Sequence, residues 1–239
     1  MTAAEVKAAL AALSDPDYAA GAARYFKTGP GEYGEGDVFL GVRVPQTRSV
    51  VKKFSNLPAT EIDSLLASEV HEHRLAAVLI LVRQFEIALR RGDSETQRRI
   101  LSEYLDAVEH GRINNWDLVD SSAAVIVGRS LLTQSPQLLF DLAEREELWQ
   151  RRVAVIASFA FCDGGDPSVT LALASQLLAD RRDLIQKAVG WSLRHMGKRV
   201  GTETLISFLE THAQQMGRTA LSYATEHLDA STRARLRAL

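Results

Sequence analysis

The apolar positions of this chain recur with a helical period almost throughout. Residues 73–89, HRLAAVLILVRQFEIAL, predict one long apolar-rich helix, and residues 116–132, WDLVDSSAAVIVGRSLL, a second. The same pattern predicts helices over 149–161, 168–179, 183–196, 202–213 and 217–228. The N-terminal MTAAEVKAALAAL reads as a short amphipathic helix, because Glu5 and Lys7 interrupt what could otherwise pass for a signal peptide. Polar breaks at 90–95, 133–137, 163–167 and 196–203 have the length of helix–helix connections. One stretch departs from the pattern. Residues 25–45, YFKTGPGEYGEGDVFLGVRVP, hold five of the fifteen glycines and read as a flexible loop before a helix starting at about Pro45.

Four of the helices open alike: Arg74-Leu-Ala-Ala-Val, Arg152-Val-Ala-Val-Ile, Lys187-Ala-Val-Gly-Trp and Arg218-Thr-Ala-Leu-Ser. The last three basic positions are 35 and 31 residues apart, and the gap of 78 from 74 to 152 has room for two units. A period of roughly 30–45 residues with two helices per unit predicts an all-α, HEAT-like helical-repeat solenoid forming a single domain over 1–239. In such an array the basic residues begin successive inner helices and would line a concave basic groove. Helix N-termini facing the same way would add N–H groups that favour phosphates. The plainer alternative is that these charges are solvated or paired between repeats.

Composition narrows the classes. A chain of 239 residues with 46% hydrophobic and 24% charged content is long and apolar enough for a folded core. No apolar run approaches the length of a membrane span. The lone Cys162 excludes an internal disulfide and a cysteine zinc cluster, and fits a reducing cytosol. The formal charge of −2 does not by itself signal a nucleic-acid partner. Such binding would need its cations gathered on one face.

The candidate chemistry lies in NNWDLVDSS. Trp116 and Asp120 share a helix face by their spacing of four, as do Lys187 and Trp191, with Arg152 beginning a helix between the pairs. Two indoles flanking a carboxylate suit a cationic, planar ligand, each cation–π contact being worth roughly 0.5–2 kcal/mol. Against this stands ordinary packing, since tryptophans of helical repeats are commonly core; Trp149 is read that way. Asp120 sits in an apolar helix, where an unpaired carboxylate is costly, so it needs a partner such as Arg152 or a task. Phosphate-loop, zinc-protease and serine-hydrolase motifs are absent, and the glycines of 29–41 follow no strand and so make no dinucleotide fingerprint. His71 and His73, two apart, fall on different helix faces, so no metal ligand set and no cofactor are expected.

Six segments together resemble the AlkD family of bacterial DNA alkylation-repair glycosylases, over about residues 20–230. They are ARYFK (23–27), FLGVRVPQTR (39–48), NWDLVD (115–120), LWQRRVAVI (148–156), IQKAVGWSLR (185–194) and MGRTALSYATEHL (216–228). The resemblance implies a HEAT-like fold and a monofunctional enzyme that cleaves the N-glycosidic bond of cationic purines, 3-methyladenine and 7-methylguanine, in duplex DNA. It places Trp116, Asp120, Arg152 and Trp191 at the lesion, and Tyr25 as an aromatic contacting DNA nearby. Asp120 would stabilise oxocarbenium character on the sugar and orient water, and the indoles would stabilise the lesion's charge. Arg152 would hold a backbone phosphate, with Lys187, Arg218 and Arg74 on neighbouring ones. The family works without flipping the base into a pocket, which implies tolerance of bulky adducts. It also implies no cofactor, an open groove on a monomer, and a cytoplasmic bacterial protein at the nucleoid. Two departures stand out. The stretch between Tyr25 and Phe39 is longer and richer in glycine, and Asn115 stands where the family often has tryptophan. The competing classes are a non-catalytic HEAT module that binds damaged or branched DNA, and a protein–protein scaffold.

Overall fold

A computed structural model describes residues 1–239, all-helical apart from loops and an isolated parallel bridge between Val38 and Val70. The chain forms two compact units, Met1–Ser122 and Ala123–Leu239.

The first unit contains α1 (Ala3–Ala11), α2 (Pro16–Tyr25), α3 (Val44–Lys53), α4 (Ala59–Leu66), α5 (His71–Arg91), α6 (Ser94–Glu109) and α7 (Trp116–Asp120). Helix α5 is its axis, and α1, α3, α4, α6 and α7 all pack on it. Its first eleven residues are buried on every side, which is why the apolar run is continuous rather than striped. It ends where Gly92 takes up a left-handed conformation at φ 67°, with Arg90 and Arg91 in the last turn. The charge-dense α6 was not evident from the pattern. Its buried stripe is only Ile100, Tyr104, Ala107 and Val108, and the Asp93 carboxylate caps it by accepting from the Thr96 amide at 3.0 Å.

The second unit opens with a π-helical turn, Ala124–Gly128. There follow α8 (Arg129–Leu131), α9 (Gln137–Glu144), α10 (Leu148–Ala157), α11 (Phe159–Asp163), α12 (Ser168–Gln176), α13 (Asp183–Arg199), α14 (Thr202–His212), α15 (Arg218–Ala224) and α16 (Ala230–Arg237). Helix α9 packs on α10 and α12 on α13, while α10, α13 and α15 pack in succession, an order compatible with stacked helical repeats. Glycine permits a close approach between two of these helices. A Cβ on Gly190 would lie 2.4 Å from the Ala220 carbonyl oxygen and 2.5 Å from Tyr223 Cβ, so α13 and α15 touch backbone to backbone there. Gly190→Ala is therefore expected to destabilise the protein by about 1–3 kcal/mol despite alanine's better helix propensity. Urea denaturation reads this as a lower midpoint, and an unchanged midpoint would contradict the packing.

The helix expected over 116–132 is instead interrupted after Asp120. The hydroxyls of Ser121 and Ser122 donate to the carbonyls of Asp117 (2.7 Å) and Leu118 (2.6 Å), competing with the helical ladder, and the chain resumes as the π-helical turn. The helix expected over 149–161 is likewise divided at Ser158, whose hydroxyl donates to the Val155 carbonyl at 2.7 Å. Conversely, α13 runs on to Arg199, into the stretch expected to be a break, because Gly197 lets Leu205 of α14 sit against it. No helix is long and apolar enough to cross a membrane.

Candidate nucleic-acid interface

Trp116 and Asp120 are the first and last residues of α7, both partly exposed and one turn apart, as their spacing predicts. The Asn115 side chain, itself fully buried, accepts from the Trp116 amide at 2.8 Å and fixes the start of this helix. The Trp116 ring belongs to an aromatic stack. It lies on Phe26 at 5.1 Å with planes 7° apart, and Phe26 lies on Phe39 at 5.1 Å. Tyr25, 68% exposed at the end of α2, meets the Trp116 ring edge-on at 6.0 Å. The expected N-terminal aromatic and the expected lesion-site indole are thus neighbours. The charge of Asp120 also reaches the buried Tyr104. Burial, opposed by a hydrogen bond with Ser122 and reinforced by Asp120, drives the Tyr104 phenol well above its ordinary pKa.

Beneath this face is a buried group of charges. His71 places Nδ1 3.0 Å from Asp37 Oδ2 and Nε2 2.8 Å from Asp117 Oδ2. Asp37 also accepts from Arg74 Nη2 at 2.5 Å and from Asn115 Nδ2 at 3.0 Å. Burial opposes the imidazolium, but the hydrogen bonds to Asp117 and Asp37 and the charges of both outweigh it, and the pKa of His71 is raised from 6.5 to about 9. For Asp37, burial works against the carboxylate, yet His71, Arg74 and Asn115 together hold its pKa below the usual range. His73 shows the opposite case. Burial, with the charges of Lys7 and Arg74, lowers its pKa to about 4, and its Nδ1 pairs with Ser68 Oγ at 2.8 Å.

This geometry corrects the expected role of Arg74. Its side chain is only 5% exposed and its guanidinium is committed to Asp37 and to the Ser68 carbonyl, so it braces the fold instead of meeting a phosphate. The glycine-rich stretch is likewise no free linker. Glu72 accepts from the amides of Leu40, Gly41 and Val42 at 2.8–3.1 Å, and Asp37 ties the segment to α5 and α7.

The remaining predicted residues belong to the second unit. Trp149 is core, as read from the sequence. Arg152, fifth residue of α10, is buried and donates from Nη1 to the Leu184 carbonyl at 2.6 Å, bracing the first turn of α13. Trp191 is partly exposed and meets Phe159 edge-on at 4.9 Å; Phe159 also stacks on His195 at 4.4 Å, which pairs with Asp163 at 3.0 Å. Lys187, one turn before Trp191 on α13, pairs with Asp183 at 2.7 Å near the surface. Arg218, exposed at the start of α15, lines a cavity of about 380 Å³ with Leu221, Ser222 and Arg237.

Comparison with known proteins decides the family. The sequence profile of the family described as DNA alkylation repair enzyme matches residues 6–228. The chain belongs to that family. Its fold is similar to a solved structure described as a predicted DNA alkylation repair enzyme from Enterococcus faecalis, at 19% identity and a TM-score of 0.70, over 91% of this chain and 97% of that one. No curated protein matches the chain by sequence. Membership gives this alkylation-repair protein a DNA-repair role and makes DNA the macromolecule it handles. Of the residues that support Trp116, Phe26, Phe39 and Asp117 lie within the family-like segments, whereas Asp37 and His71 lie outside them, and no short spacing joins Phe26, His71 and Asp117.

Proposed function

We propose that this alkylation-repair protein is a monofunctional DNA glycosylase that excises cationic alkylated purines from duplex DNA by hydrolysis, without flipping the base into a pocket. The supporting observation is the partly exposed Asp120 carboxylate one turn from Trp116, whose ring stands beside the exposed Tyr25. A purine alkylated at N7 or N3 is positively charged and leaves as a neutral base, so the bond breaks without a general acid. Positive charge then develops on the deoxyribose. A carboxylate stabilises that charge and orients the water whose oxygen bonds to C1′; the water's proton passes to solvent. Trp116 acts on the cationic base through its ring face, the role that the family resemblance also implies for Trp191. Arg152, expected to hold a backbone phosphate, is buried and also fixes the start of α13, which carries Lys187 and Trp191.

Lys187 and Arg218 would hold phosphates along a basic groove of HEAT-like repeats, on a protein working as a monomer. The Lys187–Asp183 pair is near the surface and of the kind worth little, so a phosphate can displace it. Lys187→Ala and Arg218→Ala are each expected to reduce the slope of log K against log salt by about 1, uniformly over DNA sequences. Fluorescence anisotropy at several salt concentrations checks this; unchanged slopes would remove these residues from the interface.

Lesion charge tests the chemistry itself. Duplexes carrying one 7-methylguanine, one 3-methyladenine or one neutral hypoxanthine should separate cleanly, with the two cationic bases released and the neutral one not. Excision of hypoxanthine at a similar rate would contradict a site that relies on a cationic leaving group.

A further inference from the structure

The glycine-rich segment reads in sequence as a flexible loop, yet Asp37, which ends its glycine-dense part at 28–37, is the hub of the buried charge group. We propose that the Asp37–His71–Asp117 bridge makes segment 28–37 a positioning element of the Trp116–Asp120 face, with His71 acting through Trp116. The inference rests on the reading of that face given above.

The donor count argues for a charged His71. A neutral imidazole has one N–H, and its other nitrogen is an acceptor that would face a carboxylate oxygen lone pair. At 3.0 and 2.8 Å to two carboxylates, both ring nitrogens donate. The group then balances two carboxylates, Asp37 and Asp117, with two cations, Arg74 and His71. The His71 and Asp37 side chains are 2% and 4% exposed. Well-packed apolar residues generally stabilise such a site as well as buried ions or better, so the ions are better explained by the geometry they enforce.

That geometry reaches Trp116 by two routes. Asp117 is the next residue in the chain and is held by His71 Nε2. The His71 ring also stacks on Phe39 at 4.6 Å and contacts Phe26 at 4.9 Å with tilted planes, and Phe26 is the ring on which Trp116 stacks. The segment folds back against the backbone of Phe26 and Lys27. A Cβ on Gly34 would lie 2.4 Å from the Phe26 carbonyl oxygen, the Gly34 amide donates to Lys27 at 3.0 Å, and Lys27 takes a positive φ of 53° to make the turn. Asp37 closes this turn, so loosening it frees Phe26, Asn115 and α7 together.

The test compares His71→Gln with His71→Arg in the full-length protein, with far-ultraviolet circular dichroism to confirm folding. Arginine restores a cation with two or more donors; glutamine does not. Trp116 emission and acrylamide quenching are read with Trp149→Phe and Trp191→Phe in place. Single-turnover excision of 7-methylguanine is read with all three tryptophans present. His71→Gln is expected to change the Trp116 signal and slow excision on the order of ten- to hundredfold, and His71→Arg to recover both. In a Trp116→Ala background, His71→Gln should slow excision little further. Asp37→Asn, which removes the charge from the segment's side, should reproduce the glutamine phenotype. An unaltered Trp116 signal in His71→Gln and Asp37→Asn, or losses additive with Trp116→Ala, would overturn the positioning role. If the wild-type protein excises nothing, the glycosylase reading fails while the Trp116 signal still decides the bridge.

Discussion

Asparagine at position 120 is expected to slow excision of 7-methylguanine by about two to three orders of magnitude, while affinity for duplex DNA holds or rises. The substitution keeps size and removes one negative charge. Because the lesion is already a good leaving group, most of the remaining barrier is charge developing on the sugar. A carboxylate beside that charge stabilises the transition state more than the ground state, so its loss appears in rate and not in binding. The same negative charge repels the backbone phosphates, which is why binding is expected to improve slightly. Asp120 is partly exposed at the end of α7. Single-turnover kinetics and anisotropy on the same duplex separate the two effects. Excision within a few-fold of wild type would remove Asp120 from the chemistry.

The second large effect is on stability against pH. His71 has a folded pKa of about 9 against an ordinary 6.5. A group whose pKa rises on folding contributes its full stabilisation below the unfolded value and loses it as pH rises through the folded value. The contribution of His71 is therefore complete below pH 6.5 and gone above about pH 9, a loss of roughly 3 kcal/mol for a shift of this size. The charges facing it are Asp37 from the glycine-rich segment, Asp117 from α7 and Arg74 from α5. His73 gives the opposite limb, because its lowered pKa of about 4 costs stability as pH falls from 6.5. Thermal or urea unfolding from pH 5 to 10 should show a maximum near pH 6.5, and His71→Gln should flatten the alkaline side only. A wild-type curve that stays level between pH 7 and 9.5 would show that His71 is not the buried cation.

What the sequence revealed about the site followed from distance along the chain. Trp116 and Asp120 are four residues apart, so the helical period alone puts them on one face, and α7 does so. The four basic helix starts were visible from their repeated pattern, and Arg74, Arg152, Lys187 and Arg218 all fall within the first five residues of α5, α10, α13 and α15. Their roles were not visible. Whether a basic residue near a helix start meets solvent or a carboxylate depends on what packs over it, and Asp37 reaches Arg74 from 37 positions away. The spacing of His71 from His73 suggests no ligand set, and its actual partners are 34 and 46 residues distant. Helix boundaries failed where side chains compete with the backbone, as at Ser121, Ser122 and Ser158. Asn115, read as a departure from the family's tryptophan, caps α7 and joins Trp116 to the charge group.

The most direct measurement is abasic-site formation by the wild-type protein on a duplex with a single 7-methylguanine, read by alkaline cleavage with the released base identified by chromatography. The glycosylase account predicts abasic sites and free 7-methylguanine in equal amounts, with no strand cleavage before alkali. Intact DNA after prolonged incubation, with salt-sensitive binding retained and a 3-methyladenine duplex equally untouched, would contradict it and leave a protein that binds damaged DNA without cutting the glycosidic bond.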